Sequence, residues 1–124
     1  MTTVLDGFLN IIKEYTIIQD REDHKIRENK IKIIFSDSTI LEATEIEIFS
    51  LKKRKYSYQW MDSNFQLLIR WDNALHHKHI SSFPHHKHIS DEKNIFDSHD
   101  ISLKEVLEAI SAKIKSQSAP PYST

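Results

Sequence analysis

The spacing of apolar residues predicts a helix near each end of the chain. Near the N-terminus, a helix over 3–18 is predicted because apolar side chains recur every three or four positions, at Leu5, Phe8, Leu9, Ile12 and Tyr15. Near the C-terminus, Ser102 and Glu105 form a capping box, which predicts a helix over 102–115. Its apolar positions are Leu103, Val106, Leu107, Ile110 and Ile114. We expect each apolar stripe to face the core.

Between these two segments the period changes to two, which is the pattern of half-buried strands. Alternating residues predict four strands, over 30–36, 39–50, 56–60 and 65–72. Asp37 and Ser38 form the first turn without glycine, because Asp tolerates a left-handed backbone. A phase slip within the second strand predicts a bulge near Thr44 and Glu45.

Residues 73–100 show no sustained period, which predicts a long loop. The expected architecture is α+β: an N-terminal helix, a four-stranded mainly antiparallel sheet, a long His-rich loop and a C-terminal helix. The helices should cover one face of the sheet. Residues 1–115 form a single domain in this prediction, and 116–124, which include Pro120 and Pro121, form a disordered tail.

Composition excludes several classes of function. A chain of 124 residues suits one compact domain. It has no cysteine, which excludes disulfides, a thiolate metal site and a cysteine nucleophile. A single glycine excludes glycine-rich phosphate loops, and a net charge of -1 does not suit a chain that coats DNA by bulk electrostatics. We expect a cytoplasmic protein that is not in the membrane, because neither a signal peptide nor a run of about 18–20 apolar residues is present.

Histidine is concentrated in one segment, since six of the eight histidines lie between His76 and His88. Imidazole titrates near neutral pH, so two such rings can act as base and acid in one reaction. Nearby cations can stabilise a phosphate, and aromatic rings can stack on a nucleobase. Together these groups are the parts needed for metal-independent cleavage of RNA.

The residues that we assign to this reaction fall into two sets. The acid–base candidates are His85, His86 and His88, then His76 and His77, with Asp72 to orient a histidine or Arg70. The substrate-binding candidates are Arg70 and Lys87 for the phosphate, with Tyr58, Trp71 and Phe83 for stacking. The mechanism includes no cofactor and no metal.

Other functions stay open on the residues alone. Neutral imidazole is the commonest metal ligand, so a metal ion for a hydrolase could be held by His77 with His79, or by His86 with His88. Asp72 or Asp91 could add an oxygen ligand. A regulator that binds nucleic acid or protein without catalysis is a further alternative, since no compact catalytic motif is present. A purely structural interpretation makes the histidine segment a solvated linker, with Trp71 and Phe83 as core anchors.

Four segments around the histidines form a long and specific motif. They are Tyr56-Ser57-Tyr58-Gln59-Trp60, Arg70-Trp71-Asp72-Asn73-Ala74, His76-His77 and Phe83-Pro84-His85-His86-Lys87-His88. This motif resembles the TumE-like toxin family of prokaryotic toxin–antitoxin systems, and the resemblance extends over 30–114. It implies a toxin whose partner is a small helix-turn-helix antitoxin. Combined with the residue chemistry, it leads us to expect a type II toxin that acts as an endoribonuclease on RNA. The apolar helix faces could also support a homodimer.

Overall fold

The computed structural model describes residues 2–118, which form seven strands, one α-helix and two 3₁₀ segments. The chain begins with a 3₁₀ helix, Thr2–Ile11. The strands are β1 (Ile12–Glu22), β2 (Ile26–Phe35), β3 (Ile40–Ile48), β4 (Lys53–Met61), β5 (Leu67–Asp72), β6 (His86–Ile89) and β7 (Ile95–Asp97). A short 3₁₀ turn, Phe49–Leu51, lies between β3 and β4, and helix α1, Leu103–Ser118, ends the described chain.

The strands form one antiparallel sheet of seven, in which the order in space equals the order in sequence. Aspartate takes the place of glycine in the turns. Asp23 Oδ1 accepts hydrogen bonds from the backbone N–H groups of Lys25 and Ile26, at 2.7 and 3.0 Å. Asp37 Oδ1 accepts the N–H of Thr39 at 3.0 Å, which confirms the predicted turn. The residue with a left-handed backbone is Ser38, at φ 72°, and not Asp37.

One face of the sheet carries the hydrophobic core. Side chains alternate along a strand, so every second residue points to the same side. The strand residues of this core are Ile31, Ile33, Phe35, Leu41, Ala43, Tyr56, Tyr58, Trp60 and Trp71. The helical segments supply Leu5, Ile11, Leu103, Val106, Leu107, Ile110 and Ile114. Helix α1 and the N-terminal 3₁₀ helix therefore pack on this face, and the apolar stripe of α1 is buried inside the chain.

The predicted N-terminal helix over 3–18 is wrong. The helical part is a 3₁₀ helix that ends at Ile11, and the chain continues directly as β1. The reason lies in 11–18, where isoleucine, threonine and tyrosine dominate. Branched and aromatic side chains favour strands. Residues 19–29 complete β1, turn and begin β2.

The four-stranded sheet with a long unstructured loop is also wrong. The four predicted strands correspond to β2–β5, and β1, β6 and β7 make the sheet seven-stranded. The predicted loop over 73–100 contains β6 and β7, which extend the sheet beyond β5. Histidine hides the alternation here, because the buried positions of β6 are His86 and His88. The chain is therefore mostly an antiparallel β-protein with a C-terminal helix.

The predicted bulge at Thr44 and Glu45 is wrong as well, because β3 pairs with both neighbours without a register shift. The apparent slip has a polar cause. Glu45 lies on the core side of the sheet, where its carboxylate accepts a hydrogen bond from the Tyr58 hydroxyl at 3.0 Å. Ile46 consequently points to the opposite face.

The capping box at the start of α1 is confirmed. Ser102 Oγ accepts the N–H of Glu105 at 3.2 Å, and Glu105 Oε1 accepts the N–H of Ser102 at 3.1 Å. The helix runs to Ser118, so residues 116–118 are helical where a tail was expected. The remainder of the predicted tail, 119–124, lies outside the described residues.

Candidate functional site

An open cleft lies mainly on the face of the sheet opposite the core and extends past the strand ends to Arg54 and Tyr56, which belong to the core face of β4. Its cavity measures about 1120 Å³. Five Lys or Arg side chains, three carboxylates and five histidines line it, so the cleft is basic although the whole chain has a net charge of -1. The residues that strands β3–β6 contribute include Thr44, Ile46, Lys55, Ser57, Gln59, Arg70, Asp72, His86 and His88.

Asp72, at the end of β5, is the centre of the polar network in this cleft. Its Oδ1 lies 2.8 Å from His86 Nε2 and accepts the N–H of Ala74 at 3.0 Å. Its Oδ2 accepts a hydrogen bond from Arg70 Nε at 3.1 Å and lies 3.6 Å from His88 Nε2. The strand register brings these groups together, since Asp72 pairs with His86 and Arg70 with His88. One buried carboxylate thus positions side chains from two strands.

Backbone carbonyls orient His86 and His88. His86 Nδ1 lies 2.9 Å from the carbonyl oxygen of Pro84, and His88 Nδ1 lies 2.8 Å from that of Glu92. A carbonyl oxygen only accepts, so Nδ1 is the N–H donor in both rings and Nε2 is the nitrogen directed at Asp72. Both side chains are buried, at 2% and 3% exposed.

His77 lies against these two buried rings and is partly exposed. Its ring centroid is 4.8 Å from that of His86 and 5.6 Å from that of His88, with the rings edge to face. Desolvation lowers the pKa of His77, and positive charge on His86, His88 and the neighbouring histidines lowers it further. A ring in this environment favours its neutral form, which can accept a proton or bind a metal ion.

The same three rings could hold a metal ion. One nitrogen from each of His77, His86 and His88 lies within 4.8 Å of the others. Imidazole nitrogens with a carboxylate oxygen nearby are a ligand set that zinc accepts.

Arg70 is already paired with carboxylates. It forms an ion pair with Glu92, donates to Asp72, and its Nη1 lies 3.4 Å from Gln59 Oε1. Burial acts to lower the pKa of Arg70, but its hydrogen bonds to Glu92 and Asp72 outweigh that effect and raise the pKa. Exposed cations at Lys52, Lys53 and Lys55 line the same cleft.

A second group of side chains lines the cleft around His85. The Tyr56 hydroxyl lies 2.9 Å from His85 Nδ1, and the two rings stack with centroids 5.8 Å apart. Asp100 Oδ1 lies 3.9 Å from the same nitrogen and accepts a hydrogen bond from Arg54 at 2.7 Å. Burial and the charge of Asp100 raise the pKa of Tyr56 to about 12, so the phenol keeps its proton at neutral pH. The His85 side chain is 24% exposed.

The structure brings the predicted acid–base residues into one cavity but separates them from most predicted substrate-binding residues. The lining residues include His76, His77, His85, His86, His88, Asp72 and Arg70. Tyr58 and Trp71 are buried in the core on the other face, and a nucleobase cannot stack on them there. Lys87 pairs with Trp71 in the sheet and shares its face, and Phe83 does not line the cleft.

The sequence-based candidates omit the lysines of the cleft, although a signal for them exists. Tyr56 and Tyr58 mark the core face of β4, so Lys53 and Lys55 must point to the other face together with Arg70. Asn73 was also missed. Its amide donates to the Arg54 carbonyl at 2.7 Å and accepts the N–H of Tyr56 at 3.0 Å, which joins the start of β4 to the end of β5.

The fold and the cleft define a class of small β-sheet protein, in which a helix covers one face and a basic, histidine-lined cavity occupies the other. The family model described as Toxin TumE matches residues 3–114. The chain therefore belongs to the TumE toxin family and is a toxin, which confirms the resemblance seen in its motifs. Membership of a toxin family suggests an antitoxin as the partner.

Two further comparisons gave no match, one against curated proteins and one against solved structures. Within residues 2–118, no helix has the length and apolar character needed to cross a membrane. Family membership is thus the finding that identifies the chain, and the chemistry must be argued from the cleft.

Proposed function

We propose that this toxin is a metal-independent endoribonuclease of a type II toxin–antitoxin system and that RNA binds in the cleft. The observation that carries the proposal is that two partly exposed histidines, His77 and His85, share one cavity with exposed lysines. A base, an acid and fixed cations are what cleavage of RNA by its own 2′-hydroxyl requires.

In this mechanism His77 is the general base. A ring nitrogen of His77 accepts the proton of a ribose 2′-hydroxyl, and the 2′ oxygen attacks the adjacent phosphorus. The bond between phosphorus and the 5′ oxygen breaks as protonated His85 donates its proton to that oxygen. The products are a 2′,3′-cyclic phosphate and a 5′-hydroxyl. Asp100, 3.9 Å from His85 Nδ1, supports the protonated ring by forming an ion pair with it.

Other residues of the cleft position the catalytic histidines or supply positive charge to the phosphate. His86 and His88 are buried beneath His77 and hold its ring in place, while Asp72 holds both of them. Lys53 and Lys55 supply cations for the phosphoryl oxygens, since Arg70 is already paired.

The decisive assay compares a short RNA with its 2′-deoxy counterpart, each with and without EDTA. We expect cleavage of the RNA only, with a cyclic phosphate end, and no loss of rate in EDTA. Cleavage of the deoxy strand, or complete loss of activity in EDTA, would contradict the mechanism.

Variants then separate catalysis from binding. We expect His77→Ala and His85→Ala each to lower the cleavage rate by about 10²–10⁴-fold, which is the usual contribution of general acid–base catalysis. His24→Ala is the matched control, because His24 is exposed in the turn between β1 and β2. If the two variants bind RNA and still inhibit growth as the wild type does, the chain is a non-catalytic regulator.

A second candidate function is a metal-dependent hydrolase, which the cluster of His77, His86 and His88 favours. In that case EDTA would abolish cleavage and zinc would restore it. The same assay therefore decides between the two reactions.

We also propose that the partner is a small helix-turn-helix antitoxin encoded beside the toxin gene. Family membership supports an antitoxin partner. Co-expression of the two genes should relieve growth inhibition and yield a complex on purification, and a neighbouring product that does neither would contradict this assignment.

A further inference from the structure

We propose that the cleft contains a binding site for one divalent transition-metal ion, of the kind that zinc represents, formed by His77, His86 and His88 with Asp72. We further propose that the bound ion inhibits the toxin. The inhibitory part rests on the proposed ribonuclease function, whereas the binding part stands on the geometry of the side chains alone.

The three imidazoles are already close to the spacing that a metal ion needs. Their nitrogens lie within 4.8 Å of one another. Zinc–nitrogen bonds of about 2.0–2.1 Å in a tetrahedron place the nitrogens roughly 3.4 Å apart. His77 lies outside the regular strands, so its segment can close the remaining gap while β6 stays in the sheet.

The orientation of the two buried rings is the one that metal ligands require. In both His86 and His88, Nδ1 donates to a backbone carbonyl, which leaves Nε2, the nitrogen that faces Asp72, as the one that can bind a metal ion. Metal-binding histidines commonly have their second nitrogen held in this way, because it fixes the tautomer and the direction of the lone pair.

Asp72 supplies the fourth ligand and the balancing charge. Its two oxygens lie 2.8 Å from His86 Nε2 and 3.6 Å from His88 Nε2, so a carboxylate oxygen is already beside the proposed ion. Arg70 holds the same carboxylate from its other side at 3.1 Å. Three nitrogens and one oxygen suit zinc better than magnesium or calcium, which prefer oxygen ligands.

This site differs from the general tendency of a His-rich chain to bind metals. General chelation would use exposed rings, of which His76 and His79 are the nearest along the chain. The proposed site instead depends on two buried rings and a buried carboxylate. Replacing His76 should therefore have little effect, whereas replacing His77 should remove a ligand.

A bound ion would prevent the proposed reaction for a simple chemical reason. A coordinating imidazole nitrogen donates its lone pair to the metal, and any proton on that nitrogen leaves when the ion binds. His77 then cannot accept the proton of the 2′-hydroxyl. Metal occupancy and the proposed acid–base chemistry are therefore mutually exclusive.

The binding test uses protein purified without a nickel column. Titration calorimetry with zinc, and visible absorption with cobalt as a four-coordinate probe, should show one ion per chain. His77→Ala should weaken zinc binding at least about ten-fold, while His76→Ala binds as the wild type does. At the same zinc concentration, zinc should also raise the Tm of the wild type and of His76→Ala by more than that of His77→Ala. Absence of binding, or several equivalent ions with equal losses in both variants, would overturn the site.

The activity test keeps the two proposals separable. Cleavage of RNA by metal-free protein in EDTA tests the ribonuclease alone. One equivalent of zinc should suppress that cleavage, and excess EDTA should restore it. If the metal-free protein never cleaves RNA, the ribonuclease fails and the zinc titration still decides the site. If zinc binds and stimulates cleavage, inhibition is wrong and the chain is a metal-dependent hydrolase.

Discussion

At the scale of single residues, Asp72 connects the strand framework to the chemistry of the cleft. It is 6% exposed and contacts Arg70, which Glu92 also holds, and His86, which is itself buried. Leaving such partners unmatched is costly, because buried polar groups then lose hydrogen bonds that water cannot replace.

We expect Asp72→Asn to destabilise the protein by about 1.5–3 kcal/mol, the usual range for a hydrogen bond to a charged group. The substitution keeps the shape but removes the charge that faces Arg70 and His86. Urea denaturation measures the loss. Asp6→Asn is the control, since Asp6 is exposed in the N-terminal 3₁₀ helix. Equal stability of the two variants would contradict the central role of Asp72.

Tyr56 and Tyr58 form a second residue-scale unit, on the core face of β4. Their rings stack with centroids 5.2 Å apart, and the Arg54 guanidinium lies 4.3 Å from the centre of the Tyr56 ring. The Tyr58 hydroxyl donates to Glu45 and accepts from Arg54, at 3.0 and 2.7 Å. Burial and the nearby Glu45 carboxylate raise the pKa of Tyr58 above its ordinary value.

These shifts predict alkaline sensitivity. Tyr56 ionises near pH 10 when unfolded but only at about 12 when folded. Its contribution is therefore complete below pH 10 and is lost as the pH rises towards 12, by about 2–3 kcal/mol in total. Chemical denaturation between pH 8 and about pH 12 should show a shallower loss for Tyr56→Phe than for the wild type. Tyr15→Phe, at an exposed position of β1, should follow the wild type.

At the scale of elements, the parts that sequence predicts are those in which hydrophobicity alone decides burial. Strands β2–β5 and the start of α1 follow from alternation and capping. Strand β6 does not, because His86 and His88 are polar residues at buried positions, and their partner Asp72 becomes visible only when the pairing of β5 with β6 is known. Strand β1 is not predicted either, because almost all of its residues are exposed and no alternation of buried and exposed positions marks it as a strand.

The candidate site shows the same division. Its residue types could be found from sequence, since six histidines cluster beside Arg70 and Asp72. Which residues share a cavity depends on register and strand parity. His85 therefore lies with Tyr56 and apart from the Asp72 network, and Lys87 faces away from His86 and His88.

The capping box is the element-scale feature that sequence predicts most directly, and it can be tested alone. Ser102→Ala removes the side chain that accepts the N–H of Glu105 and should lower the free energy of unfolding by about 1 kcal/mol. Ser116→Ala, at an exposed position near the other end of α1, should have little effect. Thermal denaturation measures the difference. Equal Tm values for the two variants would contradict the prediction.

At the scale of the whole molecule, the charge is unevenly distributed. The net charge of the chain is -1, but the lining of the cleft has more cations than carboxylates. Helix α1 packs on the core face of the sheet, and most of the cleft lies on the other face.

This distribution predicts how RNA binding depends on salt. Replacing both Lys53 and Lys55 by Glu should weaken RNA binding and reduce the slope of log K against log salt by about one unit per lysine, because fewer counterions are released. Lys113→Glu is the control, because it reverses the charge of one exposed lysine on α1, away from the cleft. An unchanged slope for the double variant, or an equal fall per lysine in Lys113→Glu, would place the RNA elsewhere.

The consecutive order of the strands has a consequence for synthesis. Ribosomes make the chain from its N-terminus, and β6, with His86 and His88, follows five strands that pair only with their neighbours. Helix α1, which closes the core behind the sheet, follows all seven strands. A nascent chain can therefore assemble most of its sheet before it has a complete cleft, and the buried histidines of β6 join the cleft only after β1–β5 have been made.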